Sequence, residues 1–359
     1  MRERSGAGNS KTMQIALPHL DELCFLLRPE DAMDHAANGS VAQASSSEPM
    51  ILLRCQAMGT EGKTINSNEC PACGMAMREV NVWIDACPGC QYMKSSLTPG
   101  AGAPVEGIEG LRRRNFEALL DRLSRFKTLK DARLLEPGCG KGWFLEAAQR
   151  RGMIVRGMEP GPDGAMARNG GFRVDSGFFP QDVCSKGPFD AITFNDVFEH
   201  IPDPTVAIVA VERLLADDGI LVLNLPSSHG IFFRISAVLN RLGWSGPYER
   251  LWQRGLSSPH MSYFNTANLV SFVHRHTALR FIDQVSLCSI SRDGLRARIK
   301  VTIPSWRGDV MFAAIWLASF ALTTLPPDIT VVMFRKGISA PPANSPVENS
   351  GRGARNSAG

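Results

Sequence analysis

A glycine-rich loop at residues 136–142 has the clearest chemical signature in the chain. A short apolar run ends at Glu136, and glycines follow at every second position, at Gly138, Gly140 and Gly142. Glycine is used where the backbone must adopt a positive φ or where a ligand must approach the main chain closely. An amphipathic stretch follows, and the N–H groups at the start of a helix there would point at a ligand in the loop. The pattern predicts a strand, a tight binding loop and a helix.

The spacing of these glycines tests whether the loop could bind a dinucleotide cofactor. The fingerprint of dinucleotide-binding proteins has the order Gly-x-Gly-x-x-Gly. Here the third glycine comes one residue early, at Gly142, and Trp143 stands where the fingerprint requires glycine. The spacing therefore disfavours NAD. The glycines could also form a simple turn that binds no ligand.

A second chemical pattern is formed by cysteines. Two Cys-x-x-Cys pairs are separated by thirteen residues, and their members are Cys70, Cys73, Cys87 and Cys90. Four thiolates at this spacing can close a tetrahedron around Zn²⁺ on a fragment too small to fold alone. The alternatives are a redox pair or unligated cysteines. The pattern predicts a structural zinc ribbon with a strand or hairpin between the two pairs, whereas Cys55 has no partner at ligand spacing.

The elements that must position these residues follow from the apolar pattern. From residue 133 onward strands alternate with helices, which predicts a parallel sheet covered on both faces. The strands are predicted at 134–136, 154–159, 173–174, 189–195, 220–225, 279–285 and 329–334. Asp203 and Thr266 are predicted to cap helices. A helix at 111–126 precedes the glycine loop, and we assign its arginines to a solvated basic face.

With these strands in place, residues 133–336 resemble the class I S-adenosylmethionine-dependent methyltransferases. The acid-x-Gly-x-Gly-x-Gly sequence at 136–142 resembles motif I of that family. The sequence from Phe189-Asp190 to Glu199-His200 resembles a motif of its small-molecule branch, which includes the ubiquinone-biosynthesis O-methyltransferases. The resemblance implies a seven-stranded sheet whose last strand, at 329–334, inserts antiparallel beside the sixth. The predicted fold class is α/β: a seven-stranded Rossmann-like methyltransferase sheet with helices on both faces, preceded by a small four-cysteine zinc ribbon.

The resemblance also implies which residues hold S-adenosylmethionine. Glu136 and the three loop glycines would contact its methionine and ribose portions. Glu159, at the end of the second strand, would accept hydrogen bonds from both ribose hydroxyls, because a carboxylate with two acceptor oxygens suits a vicinal diol. Asp182 is the candidate for the adenine amino group, with Asp175 as the alternative. Asn195 completes the predicted cofactor-binding set.

Two histidines are the candidates for proton transfer. Methyl transfer from a sulfonium depends on alignment and needs no metal, but a hydroxyl acceptor must also lose its proton to a base, for which histidine has a suitable pKa. His200 follows the central strand. His260 lies in the stretch 226–265, which interrupts the alternation and is predicted to form an acceptor-binding lid. The alternative for each is a hydrogen-bonded structural role.

Length and composition divide the chain into a few units. The 359 residues correspond to about two folded units. We predict a disordered extension at 1–65, the zinc ribbon at 66–95, a linker at 96–110, the methyltransferase domain at 111–337 and a disordered tail at 338–359. The net charge of +4 comes without a dense basic tract. Nucleic acid is therefore not the expected partner.

The remaining expectations concern surroundings and substrate. The N-terminus has no secretory signal pattern, which predicts a cytoplasmic protein. The apolar segment 310–325 is shorter than a spanning helix and predicts a buried helix or peripheral membrane contact. A small-molecule, lipid or glycan acceptor is expected, methylated at oxygen. The alternatives are a nucleic-acid or protein methyltransferase whose ribbon grips the substrate, and a non-catalytic scaffold, which intact Glu136 and Glu159 disfavour. The oligomeric state is left open.

Overall fold

The computed structural model describes residues 68–100, 109–183, 187–287 and 326–338, together with 305, 306, 308–310, 312, 313 and 316. The predictions for residues 1–65, for Cys55 and for nearly all of the C-terminal tail lie outside these residues, as does most of the segment 310–325. Within the described ranges, no helix is long and apolar enough to cross a membrane.

The described strands and helices follow the predicted order. The strands are β1 (Arg78–Asn81), β2 (Ile84–Ala86), β3 (Met93–Ser95), β4 (Arg133–Pro137), β5 (Ile154–Met158), β6 (Val174–Asp175), β7 (Phe189–Asn195), β8 (Leu215–Pro226), β9 (Ser262–Tyr263), β10 (Arg280–Leu287) and β11 (Ile329–Arg335). The α-helices are α1 (Glu109–Leu123), α2 (Trp143–Arg150), α3 (Asp163–Asn169), α4 (Pro204–Leu214), α5 (Ile231–Arg241), α6 (Gly246–Leu251) and α7 (Thr266–His276), and a short 3₁₀ turn spans Phe198–His200.

The larger sheet has seven strands in the order β10-β11-β8-β7-β4-β5-β6. The strands β5, β4, β7 and β8 are mutually parallel, while β11 runs antiparallel between β8 and β10. The predicted antiparallel insertion of the last strand is therefore confirmed. Strand order reverses at β4, between β5 and β7, and in open α/β sheets ligands bind beyond the carboxyl ends of the strands at such a switch point.

Apolar side chains on alternate positions of the strands build two layers. Leu134, Val331 and Met333 face the layer that α1 and α2 cover. Their neighbours Leu135 and Val332 face the layer that α4 and α7 cover. Because successive side chains of a strand point to opposite faces, near-continuous apolar runs are what a sheet buried on both faces requires. The predicted fold class is confirmed.

Two predicted local features differ in the structure. The cap of α7 is Asn265 and not Thr266, because the side chains of Asn265 and Asn268 each accept a hydrogen bond from the other's backbone N–H. The turn predicted at 217–219 lies within β8 as a bulge, since Asp218 has a φ of 61° and the strand already pairs with β7 at Leu215. By contrast, Asp203 caps α4 as predicted, accepting from the N–H groups of residues 205 and 206.

The cysteine-rich unit is joined to the stretch 226–265 by a shared sheet. The hairpin predicted between the cysteine pairs is present as β1 and β2, and β3 extends it. The fourth strand, β9, comes from the stretch 226–265 and pairs antiparallel with β3 through Met93 opposite Tyr263. This strand sharing was not predicted. Cys70, Cys87 and Tyr92 are buried in the layer that α4 and α7 cover.

Candidate active site

The glycine loop connects β4 to α2 at the switch point of the sheet. Gly138, Gly140 and Gly142 have φ angles of 67°, 49° and 82°, a region that disfavours side chains. A Cβ on Gly138 would lie 2.4 Å from a methyl group of Val197, so this position also fits the loop against the end of β7. A Cβ on Gly140 would meet no atom within 4 Å. The loop therefore leaves open space beside Gly140, where a ligand can approach the main chain.

Glu159 lies against this loop. One carboxylate oxygen accepts a hydrogen bond of 3.0 Å from Gly140 N–H, and the other accepts one of 2.8 Å from Gly161 N–H. The end of β5 and the glycine loop are thus brought together. A carboxylate offers about four acceptor positions, so both oxygens keep capacity for a further donor such as a hydroxyl.

Glu136 and Asn195 form a buried polar pair beneath the loop. Glu136 is 2% exposed, and its Oε1 accepts a hydrogen bond of 2.8 Å from Asn195 Nδ2. Asn224 donates to Asn195 Oδ1 at 3.3 Å. Burial raises the pKa of Glu136 well above its ordinary value. Its Oε2 has no hydrogen-bond partner within the described part of the chain, and a bound polar group could satisfy it.

The two candidates for adenine recognition lie on and after β6. The side chain of Asp175 receives two hydrogen bonds from Arg156, at 2.7 and 2.8 Å. Asp182 lies in the following loop and accepts a hydrogen bond of 2.8 Å from Phe178 N–H. Asp175 is therefore engaged in an ion pair, while the adenine contact of Asp182 stays a prediction.

The structure brings the two candidate bases together. The rings of His200 and His260 lie 4.7 Å apart between centroids, in an edge-on arrangement. His200 Nδ1 lies 2.9 Å from the carbonyl oxygen of Pro259. Because a carbonyl only accepts, Nδ1 must carry the proton, and in the neutral ring Nε2 holds the free lone pair. His260 Nε2 lies 3.0 Å from the amide nitrogen of Gln253.

Sequence reasoning did not assign a role to Glu199 beyond its place in the motif. Glu199 is 1% exposed, and its carboxylate, His200 and His260 offer polar atoms within 4.8 Å of one another. Burial raises the pKa of Glu199 well above its ordinary value and lowers the pKa of both histidines, further for His260. Glu199 Oε2 and His260 Nδ1 lack partners among the residues that the structure describes. Burial therefore favours the uncharged form of all three side chains.

Arg112 lies on the predicted basic face of α1, where its side chain is 40% exposed and also forms an ion pair. Its guanidinium lies 3.3 Å from the carboxylate of Asp196, a residue with a φ of 53° that directly follows β7. The start of α1 therefore places a positive charge beside the carboxyl end of β7. The amphipathic pattern indicates which face of α1 is buried, but not which end reaches the site.

Comparison with known proteins agrees with this geometry. A family model described as a methyltransferase domain matches residues 110–277. The ubiquinone biosynthesis O-methyltransferase of Xanthomonas oryzae pv. oryzae is 34% identical over 193 residues, covering 48% of this chain and 72% of that protein. The corresponding enzyme of Xylella fastidiosa is 34% identical over 113 residues, covering 29% and 46%.

Two solved structures are also similar. An S-adenosylmethionine-dependent methyltransferase from Mesorhizobium loti has 13% identity and a TM-score of 0.43, and the match covers 61% of this chain and 98% of that one. Another from Archaeoglobus fulgidus has 16% identity and a TM-score of 0.39, with coverage of 64% and 97%.

The chain belongs to the class I S-adenosylmethionine-dependent methyltransferases. Among the members of that family, it is similar to the ubiquinone biosynthesis O-methyltransferases. The predicted enzyme class is confirmed, and the NAD alternative is disfavoured by both the glycine spacing and the relatives.

Proposed function

We propose that this enzyme methylates a hydroxyl oxygen of a small-molecule, lipid or glycan acceptor. The observation that carries the proposal is the orientation of His200, whose Nδ1–H donates to Pro259 and whose Nε2 is thereby left as a proton acceptor. A hydroxyl acceptor must lose its proton when it is methylated, and a neutral imidazole nitrogen can accept that proton. The names of the similar relatives also refer to methylation at oxygen.

The cofactor site is proposed around the glycine loop. Bound S-adenosylmethionine would supply an electrophilic methyl group on sulfur. Glu159 would hold the ribose hydroxyls, the open side of Gly140 would admit the cofactor, and Asn195 would keep Glu136 in place beneath it. Arg112, which lies beside the carboxyl end of β7, would pair with the carboxylate of the cofactor. Asp182 is proposed for the adenine amino group.

The chain's own residues would then move one proton. As the acceptor hydroxyl is methylated, its proton would pass to Nε2 of His200. The Pro259 carbonyl stabilises the imidazolium that results, because it already accepts from Nδ1–H. Buried His260 packs against His200 and fixes its ring. Alignment and exclusion of water supply most of the remaining acceleration.

An apolar part of the acceptor would be bound by the stretch 226–265. Aromatic rings from this stretch pack together in one cluster with Trp83 of the ribbon: they are Phe233, Tyr248, Trp252 and Tyr263. Beside it, α5 and its end expose Ile235, Val238 and Leu242. Pockets for small molecules are mostly apolar with a few placed polar groups. This composition favours a lipid or quinone-like acceptor, and peripheral membrane contact stays part of the proposal.

The test of this function is calorimetry on the purified full chain. We expect micromolar binding of S-adenosylmethionine and no binding of NAD. Transfer of a labelled methyl group to phenolic, lipid and glycan acceptors would then identify the substrate class. Binding of NAD, or of neither cofactor, would refute the assignment of the glycine loop.

The alternative in which the ribbon grips a nucleic acid is disfavoured by packing. Only two ribbon aromatics were available for stacking on bases, Trp83 and Tyr92. Tyr92 is buried against Phe264 with ring centroids 4.9 Å apart, and Trp83 packs on Trp252 at 5.7 Å. Salt-dependent binding of nucleic acid would support the alternative nonetheless.

We further propose that the four ribbon cysteines bind one structural Zn²⁺. Their sulfur atoms all lie within 4.8 Å of one another, and the closest pairs, Cys73–Cys87 and Cys70–Cys90, are 3.4 and 3.5 Å apart. Zinc–sulfur bonds of about 2.3 Å in a tetrahedron place sulfur atoms roughly 3.8 Å apart. The donor set and its spacing therefore fit zinc.

Replacing Cys73 by serine is expected to abolish zinc binding. Elemental analysis should find one zinc per wild-type chain and none in Cys73→Ser, while Cys55→Ser, outside the predicted ligand set, should keep its metal. We expect the seven-stranded sheet to stay folded, because Cys73 is exposed at the edge of the ribbon. A wild-type chain that contains a disulfide and no metal would contradict the zinc assignment.

A further inference from the structure

The ribbon is hydrogen-bonded directly to the segment that carries His260. Ser95, at the end of β3, is 2% exposed. Its N–H donates to the carbonyl oxygen of Met261 at 2.8 Å, and its hydroxyl donates to the carbonyl oxygen of His260 at 2.7 Å. These two bonds tie the main chain of His260 and Met261 to Ser95, which is 165 positions away from His260 in sequence.

Further contacts hold the other end of the same segment. The carbonyl oxygen of Cys90, a proposed zinc ligand, accepts hydrogen bonds of 3.2 and 3.0 Å from the side-chain amides of Asn265 and Asn268. These two residues form the capping box of α7. The start of α7 and the strand β9 are therefore both attached to the ribbon.

Trp252 also holds the backbone of His260, and the ring of Trp252 packs on the ribbon. The carbonyl oxygen of Trp252 accepts a hydrogen bond of 3.0 Å from His260 N–H. The ring of Trp252 is fully buried, and Trp83 of the ribbon packs edge-on against it. The backbone of His260 is thus fixed by Ser95 on one side and by a residue packed on Trp83 on the other.

We propose that the cysteine ribbon positions the acceptor side of the active site, with Ser95 as the residue that places His260 against His200. In this arrangement, zinc at the four cysteines holds β3, and β3 holds β9 and the main chain of His260. The cofactor side is held instead by Glu159, Gly140 and Gly161. Zinc loss should therefore disturb acceptor binding and leave cofactor binding intact. The inference rests on the proposed zinc site and on the proposed role of His200.

The first test uses Ser95→Ala in the full chain. Nitrogen-15 NMR of the imidazole rings, assigned with a His260 variant, should show shifted or broadened signals for His260 in Ser95→Ala. Ser95→Thr keeps the hydroxyl and should restore them, while Ser96→Ala, an exposed neighbour, should leave them unchanged. Calorimetry should give an unchanged affinity for S-adenosylmethionine in all three. His260 signals in Ser95→Ala that match wild type would overturn the positioning role.

The second test removes zinc from the wild-type chain with a chelator and then restores it. Amide hydrogen exchange in residues 259–268 should become at least roughly tenfold faster without metal, the ratio that corresponds to about one lost hydrogen bond. Added ZnCl₂ should reverse the change. Unchanged exchange in this segment would overturn the proposal. Neither readout uses turnover, so the two failures can be told apart. If only the proposed function is wrong, amide exchange in residues 259–268 still responds to zinc although the chain transfers no methyl group to an oxygen.

Discussion

Replacing His200 by asparagine is expected to lower kcat for O-methylation by roughly 10²- to 10⁴-fold, the usual contribution of a positioned general base. Asparagine keeps an N–H that can donate to the Pro259 carbonyl, so the local hydrogen bond survives. What is lost is Nε2, the proposed proton acceptor. Single-turnover methyl transfer measures the effect, and calorimetry should give an unchanged affinity for S-adenosylmethionine.

The control for this substitution is His274→Asn, which changes an exposed histidine of α7 and should leave kcat unchanged. If His200→Asn retains wild-type turnover while His260→Asn loses it, the base is His260. If neither change lowers turnover, the acceptor atom needs no base from the protein, and methylation at oxygen through this cluster is wrong.

The pH dependence of turnover tests the role of His200 independently. Only neutral His200 can accept a proton, and burial lowers its pKa from the ordinary value of 6.5. Turnover should therefore be constant above that value and should fall as the pH drops through the lowered pKa. Two charged groups act on His200 in opposite directions: Asp196 raises its pKa and Arg112 lowers it. An acidic limb that persists in His200→Asn would belong to another residue.

The proximity of the proposed cofactor residues could be predicted from the sequence, whereas the proximity of the two histidines could not, for a physical reason. Glu136, the glycines and Glu159 lie within one strand–loop–helix–strand unit, so their proximity follows from local pattern and parallel pairing. The distance between His200 and His260 depends instead on contacts between segments with no shared periodicity: β3 pairs with β9, and Met261 N–H donates to the carbonyl oxygen of Glu199 at 2.7 Å. Two-residue strands such as β9 leave no alternation from which to predict them.

Local chemistry explains the smaller differences. Asn265 and Thr266 are both good N-cap residues, and Asn265 is selected because Asn268 three positions later can return the hydrogen bond. The Asp-Gly pair at 218–219 indicates a turn, yet pairing of Leu215 with Phe189 extends the strand and converts the turn to a bulge. In each case a tertiary or reciprocal contact decides between two locally acceptable conformations.

Replacing Glu159 by alanine is expected to weaken binding of S-adenosylmethionine by roughly 1.5 to 3 kcal/mol for each charge-assisted hydrogen bond lost. Two ribose bonds would correspond to about 10²- to 10⁴-fold in Kd. Calorimetry measures the change. Glu117→Ala removes an acid of equal charge that pairs with Arg150 and Arg151 away from the loop, and this control should bind the cofactor normally.

A weaker affinity alone would not identify the contact, because Glu159 also accepts hydrogen bonds from Gly140 and Gly161 and so shapes the loop. A cycle with the 2′-deoxy analogue of S-adenosylhomocysteine separates the two effects. If Glu159 binds the ribose, removal of the hydroxyl weakens binding to the wild type but has little further effect on Glu159→Ala. If the penalty for the missing hydroxyl is the same in both proteins, Glu159 only supports the loop and another group binds the ribose.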